Sequence, residues 1–163
     1  MTQARKTPEW MGANRGLTPE EISAFLADPI VARVATVDED GFPYITPVWE
    51  EWDGESMWIV PREKSAWVQH LKKNPNVAIS CADDSSPYMR TLMRGKAEII
   101  SGPEPMQGKC LEIANRMATR YLGERGPEYL IPTLDRPRYL IQFTPSTMKT
   151  WVGVEWANKY TEK

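Results

Sequence analysis

Hydrophobic and polar positions change period several times along the chain, and the changes mark its elements. From Ile30 to Val37 the residues are almost all apolar and β-branched, which predicts a strand buried on both faces. Arg33 interrupts that run; buried charges usually have partners, so a carboxylate partner is expected, with a bound anion as the alternative. Phe42–Trp52 then alternates as a second strand, with Pro43 and Pro47 placing part of it at an edge or a bulge. Asp53-Gly54 predicts a tight hairpin into a third strand at Ser56–Pro61. A short helix follows, opened by Ser65 and ended at Asn74-Pro75, with Trp67, Val68 and Leu71 as its buried stripe. Asn76–Ala82 is the next strand. Tyr88–Ile100 places Met89, Thr91, Met93, Gly95, Ala97 and Ile99 on one face, and Arg90, Arg94, Lys96 and Glu98 on the other, before Ser101-Gly102-Pro103 breaks it.

Helical periods flank this β-rich centre. Thr18-Pro19-Glu20-Glu21 carries a cap, a first-turn proline and a capping box, so a helix starts at Thr18 and ends at Asp28-Pro29. Met106–Leu122 is the longest helix; Leu111, Ala114, Met117, Ala118 and Tyr121 form its apolar face and Gly123 its stop. Glu124–Pro137 is Pro-rich, with a helical turn at Pro127–Ile131. Strands follow at Arg138–Phe143 and Thr147–Val152. Residues 1–16 read as an irregular arm that Trp10 and Met11 pin to the body or to a second subunit. Residues 153–163 read as a tail packed on the domain through Trp156 and Tyr160.

Composition narrows the function classes. A chain of 163 residues, 41% hydrophobic and 26% charged, is expected to form one soluble domain. A net charge of −2 speaks against a general nucleic-acid binder, and no apolar run is long enough to span a bilayer. Cys81 and Cys110 lack metal-site spacing, and His70 is the sole histidine, so neither a zinc site nor a multi-histidine centre is expected. The first sixteen residues hold charge without an apolar stretch behind them. No secretion signal is expected, and reduced thiols in a cytoplasm are.

Three stretches could carry chemistry. Arg62-Glu63-Lys64-Ser65 sits where the short helix begins. There, unpaired N–H groups and a positive dipole end beside two cations could cradle a phosphate; the alternative is a solvated charged turn with a serine cap. Thr46-Pro47-Val48-Trp49 is expected beside Val60-Pro61. Backbone groups there could bond a planar heterocycle while Val48 packs on its face; the alternative is ordinary strand packing. Trp49, Trp52, Trp58 and Trp151 could line an apolar pocket or simply be core. No nucleophile and no paired acid and base stand out, so an enzymatic role would rest on a bound cofactor.

Taken together, VARVATVDEDGFPYITPV, MWIVPREKSAWVQHLKKNPNVAIS and LMRGKAEII resemble the pyridoxamine 5′-phosphate oxidase-like superfamily of flavin-binding split barrels over most of Leu17–Trp151. The resemblance implies a mostly β, α+β fold: a six-stranded antiparallel split β-barrel with flanking helices over residues 17–152. It implies a homodimer with cofactor sites at the subunit interface. The cofactor would be FMN, with the deazaflavin coenzyme F420 as the alternative, and the substrate a small organic molecule accepting or giving a hydride. A non-catalytic flavin- or haem-binding protein of the same fold is the further alternative. By position, Thr46, Pro47 and Val48 would lie by the ring edge, with Val60, Pro61 and Arg62 on the neighbouring strand. Lys64 and Ser65 would reach the phosphate, and Trp151 would close the site from the partner. Ala66 and Trp67 depart from the oxidase proper, which has an Arg-Lys pair after the serine. Its C-terminal Arg-x-His pattern is missing too, so the resemblance points to the branch of small flavin or deazaflavin reductases rather than to pyridoxamine phosphate as substrate.

Overall fold

The computed structural model describes residues 15–153; Trp10 and Met11 of the arm, and Trp156 and Tyr160 of the tail, lie outside the described residues. Helix α1 covers Pro19–Ala27 and has the full capping box: the Glu21 N–H donates to the Thr18 hydroxyl, and the Glu21 carboxylate accepts from the Thr18 N–H. Arg15 grips the same carboxylate at 2.6 Å, and together these partners hold Glu21 ionised down to a pKa of about 2. The strands are β1 (Ala32–Val37), β2 (Pro43–Val48), β3 (Glu51–Trp52), β4 (Met57–Ile59), β5 (Asn76–Ala82), β6 (Arg90–Glu104) and β7 (Arg138–Trp151). Helix α2 covers Ala66–Lys73 between β4 and β5; helix α3 (Gly108–Leu122) and a 3-10 segment (Gly126–Thr133) lie between β6 and β7.

All seven strands form one antiparallel sheet in the order β2-β1-β5-β6-β7-β4-β3. This is the expected mostly β split barrel with flanking helices, built from seven strands and not closed. Two strand readings change. The expected strand Phe42–Trp52 divides at Trp49-Glu50, and its halves become β2 and β3, the two opposite edges of the sheet. The two expected C-terminal strands join into one long β7. They join because Gly95 of β6 lets β7 press close where Pro145 and Ser146 bulge: the register steps from Arg94 against Thr147 to Gly95 against Pro145. Likewise β6 does not stop at Ser101-Gly102-Pro103; it bulges there, with Gly102 at φ +100°, and continues to Glu104.

The edge-to-edge crossing dictates the curvature. From Val48 to Glu51 the chain can span at most about 10 Å in three residue steps. Two strands at opposite edges of a seven-stranded sheet come that close only when the sheet rolls. Proline explains why β2 is an edge, since neither Pro43 nor Pro47 can donate to a further neighbour.

The rolled sheet has two cores. Inside the roll, Val34, Ile79, Met93, Ile141 and Phe143 meet Phe25 and Leu26 of α1 and Trp67, Val68 and Leu71 of α2. Under α3, Trp58 and Leu140 meet Cys110, Ile113, Met117 and Leu130. β1 is not buried on both faces: Ala32, Val34 and Thr36 point inward, while Val37 is 39% exposed on the outer face. Arg33 lies on that outer face, and its guanidinium donates to the Val31 carbonyl at 3.2 Å rather than to a carboxylate. It needs no buried partner because it is not buried.

A Cβ placed on Gly95 would stand 2.1 Å from the Thr144 carbonyl oxygen. Gly95→Ala is therefore expected to cost about 2 kcal/mol by forcing β6 and β7 apart. Urea unfolding checks it; an unchanged midpoint would show that the bulge gives way freely.

Candidate functional site

The roll leaves a cleft of about 400 Å³ between the end of edge strand β2 and the end of β4, beneath α3 and the 3-10 segment. Thr46, Pro47, Val48 and Trp49 form one wall; Ile59, Val60, Pro61 and Arg62 form the other. Ser65 and Trp67 of α2, Met106, Met117 and Leu130 close it, with Tyr129 and Arg138 at the mouth. The volume falls within the range of small-molecule sites. The two stretches read from sequence as neighbours thus share one cavity, although they belong to strands that never pair.

The seam at the back is an unusual polar cluster. Glu50 is fully buried, and among the described residues neither carboxyl oxygen has a hydrogen-bond partner. Burial pushes its pKa up to about 8, against the opposing pull of Arg120 at 3.7 Å. Arg120 gives its closer contact to Glu51, at 3.0 Å, and Arg116 donates to the same carboxylate at 2.7 Å. Burial thus favours the protonated form of Glu50 at neutral pH, while Glu51 takes the closer ion pairs. Tyr121 fastens this seam from α3: its hydroxyl donates to the Ile30 carbonyl at 2.6 Å and accepts from the Glu50 N–H at 3.3 Å. Its ring stacks on Trp49 with centroids 4.9 Å apart, which fixes the end of the cleft wall. Burial, and Glu50 after it, push the Tyr121 hydroxyl up to about 12, so it stays a donor.

The positive corner lies at the start of α2. Ser65 occupies the cap position, but its side chain makes no capping bond, so the hydroxyl is free. Beside the cleft a second recess of about 460 Å³ is lined by Arg62, Lys64, Arg136 and Arg138, with Glu63, Tyr129 and Thr133. The two cavities share Arg62, Tyr129 and Arg138, so they adjoin at these residues. The backbones of Arg62 and Arg138 pair as an isolated bridge, which draws two guanidinium-bearing residues together. Desolvation, and the nearby Arg62 charge after it, pull the Arg138 pKa below its ordinary value.

Of the expected site residues, Thr46, Pro47, Val48, Val60, Pro61, Arg62 and Ser65 line the cleft, and Lys64 lines the adjoining recess. Trp151 does not join them. It pairs with Arg90 at the far end of β7, thirteen residues beyond Arg138, roughly 40 Å of extended strand. Of the four tryptophans considered for a pocket, Trp49 alone lines the cleft; Trp58 is core and Trp52 packs against the inner core. Trp67 lines it as well as filling the core. Sequence reasoning missed Tyr129, Arg136 and Arg138. They sit in the Pro-rich stretch, whose local pattern says only that it is irregular; the Arg-Pro-Arg doublet was the one available signal.

A rolled antiparallel sheet with a cleft between the ends of β2 and β4 and a cationic corner at a helix start defines a split-barrel domain. The chain belongs to the pyridoxamine 5′-phosphate oxidase family, whose model matches residues 18–152. No curated protein sequence matches it. Among solved structures it is similar to an F420 reductase, with 30% identity, a TM-score of 0.63, and coverage of 77% of this chain and 94% of that one. It is similar to a conserved hypothetical protein, Rv2991, from Mycobacterium tuberculosis, with 22% identity, a TM-score of 0.68 and coverage of 90% and 89%. It is also similar to HutZ, the haem storage protein of Vibrio cholerae, with 19% identity, a TM-score of 0.61 and coverage of 83% and 96%. The last two likenesses show the fold.

Glu50 yields a pH test. Its carboxyl ionises near 4.5 in the unfolded chain and near 8 in the fold, so the folded protein keeps a proton that the unfolded chain releases. The stability that the neutral form allows is complete below about pH 4.5 and is lost as pH rises through about 8. Glu50→Gln removes this loss. Between pH 6 and 9 the Tm of the unaltered protein should fall by about 5 °C more than that of the variant. Parallel Tm profiles would show that Glu50 is ionised throughout.

Proposed function

We propose that the protein is an oxidoreductase that binds FMN in the cleft and transfers a hydride to or from a small organic substrate. The observation that carries this reading is the joining of two unlike surfaces in one cavity. One surface is a flat apolar slot between Thr46–Val48 and Ile59–Pro61; the other is a cationic corner at Arg62, Lys64 and Ser65. A planar ring with an anionic tail has both properties. The unpartnered, buried Nε of Arg138 and the free Ser65 hydroxyl suit a phosphate. Trp67, which stands in place of a cation, adds apolar wall, and Arg62, Lys64 and Arg138 compensate for the lost charge.

When bound, the flavin supplies the hydride chemistry, which explains why the cleft needs no protein nucleophile. The chain's own part is positional. Val48 and Val60 line opposite walls and would contact the ring, Pro47 and Pro61 stiffen those walls, and Trp49, stacked on Tyr121, would keep water from the back. The proposal includes a homodimer. It is supported by the exposure of Phe42 (70%) and Ile45 (67%) on or beside the edge strand β2, which a second copy would cover. In such a dimer Trp151 would reach the partner's cleft, since it cannot reach its own.

Coenzyme F420 is the second reading. It is favoured by the 30% identical F420 reductase and by a cationic recess larger than one phosphate requires. Non-catalytic haem binding draws less support, because His70 bonds Thr36 at 2.9 Å and does not line the cleft.

Titration with FMN and with F420, followed by tryptophan fluorescence, tests the reading. Micromolar binding of either is expected, with quenching from Trp49 and Trp67. Arg62→Ala with Lys64→Ala should weaken it about tenfold or more. Absence of binding by both cofactors, or affinity that ignores the double substitution, would contradict the site. Binding without any reduction or reoxidation in single-turnover mixing would leave a binding module rather than an enzyme.

A further inference from the structure

Behind the cleft wall stands a pair of buried groups that the proposed site does not use. Oε1 of Glu50 lies 3.7 Å from Nη2 of Arg120, within ion-pair range but too far for a hydrogen bond. Among the described residues, both Glu50 carboxyl oxygens and the Nε and Nη2 of Arg120 are buried without a hydrogen-bond partner. An approach of about 1 Å would bring the pair to charge-assisted bonding distance. Buried polar atoms are seldom left unpaired, so a pair held just short of bonding needs a reason.

The reason lies in the neighbouring carboxylate. Arg120 turns its Nη1 to Glu51, at 3.0 Å. Glu51 also has a second cation, because Arg116 donates to it at 2.7 Å. Glu51 can therefore release Arg120 and remain paired. Arg120 thus has two carboxylates within reach, and the one it now holds has a substitute partner.

The pair touches the cleft through α3. The Arg120 guanidinium lies over the Tyr121 ring, 5.2 Å from its centroid. That ring stacks on Trp49, and its hydroxyl accepts from the Glu50 N–H. Trp49 lines the cleft and is joined to Glu50 by a peptide bond. A turn of Arg120 changes the contacts of the ring that holds Trp49.

We infer that Glu50 and Arg120 form a two-position latch that sets the Trp49 wall of the cleft. With Glu50 protonated, Arg120 stays on Glu51 and the wall keeps its place. With Glu50 ionised, Arg120 turns to it, the Tyr121–Trp49 stack shifts, and the cleft holds a flat ligand less tightly. Glu50 and Arg120 are positioning residues, since neither lines the cleft. The groups that face Glu50 are Glu51 of β3, Arg120 and Tyr121 of α3, and Cys81 of β5; Arg116 reaches it through Glu51. Burial pushes the Cys81 thiol and the Tyr121 hydroxyl each up to about 12, so neither changes charge between pH 6 and 9. Glu50 itself, held near 8 by burial, does.

The test begins without ligand, so it stands apart from the flavin reading. In NMR spectra of the full chain labelled with fluorotryptophan, the Trp49 fluorine resonance, assigned by Trp49→Phe, should move between pH 6 and 9. The guanidinium carbon of Arg120 should move with it, at one midpoint near 8. Glu50→Gln should abolish both shifts. Arg116→Gln, at an exposed position outside both cores, takes away the substitute partner of Glu51 and should raise the midpoint by about half a pH unit. A Trp49 resonance indifferent to pH, one that moves without the guanidinium, or a shift that survives Glu50→Gln would overturn the inference; so would an unchanged midpoint in Arg116→Gln. A second arm measures FMN affinity, which should weaken about fivefold from pH 7 to 9 in the unaltered protein and stay level in Glu50→Gln. An equal loss in both would overturn the inference. Failure of FMN to bind at either pH, with the unliganded shifts as expected, would uphold the latch and remove the flavin reading alone.

Discussion

Two residues, Trp49 and Glu50, carry the chain from one edge of a seven-stranded sheet to the other. That crossing is short enough to require the roll, and the roll makes the cleft. Everything proposed for the site follows from it: two strands with no shared hydrogen bond face each other across a gap that fits a flat ring. Because β2 and β4 do not pair, the gap between their ends persists, and α3 covers it rather than filling it. Trp49 and Glu50 serve opposite sides of the same seam, one lining the cavity and one buried behind it.

A buried carboxyl at such a junction has a physical cost, which the protein limits by keeping it neutral. The neighbouring Glu51 takes the ion pairs with Arg116 and Arg120 and ties β3 to α3. The Tyr121 hydroxyl completes the tie by bonding backbone on both sides of the seam. The cleft wall is thus held by α3, which is tied to the sheet and its connections through side chains. The opposite corner works by contrast. Among the described residues the arginines there have no carboxylate ion-pair partner, and Arg62 adds to the desolvation that lowers the Arg138 pKa. One end of the site is closed by packing and by the Tyr121 and Glu51 contacts, and the other opens into the cationic recess.

How much of this could be read in advance depended on how local each signal was. The Thr18–Glu21 box, the Ser65 start, the Asn74-Pro75 end and the charged face of β6 are short-range patterns, and they appear as read. The nearness of residues 46–49 to Val60-Pro61 was legible from the twist of a barrel, whereas their sharing one site with Arg62–Ser65 was legible only as a family resemblance, since no residue in either stretch specifies a partner across the sheet. Failures have the same origin. Ile30–Val37 is apolar throughout, but composition cannot say that the outer face stays uncovered in a single chain. Pro145 and Ser101–Pro103 read as breaks because prolines and glycines break isolated strands; between two long neighbours they become bulges instead. Arg136 and Arg138 were invisible because a Pro-rich connector carries no periodicity from which to infer a face.

The central claim is that a ring-and-tail ligand lies between the sheet edges with its anionic end at the start of α2. Hydrogen exchange of the full chain, with and without saturating FMN, reads this directly. The account predicts added protection in residues 46–49, 60–68 and 129–138, with little change at 84–92 within a protomer's own far end. Protection concentrated away from those three segments, or none at saturation, would contradict it.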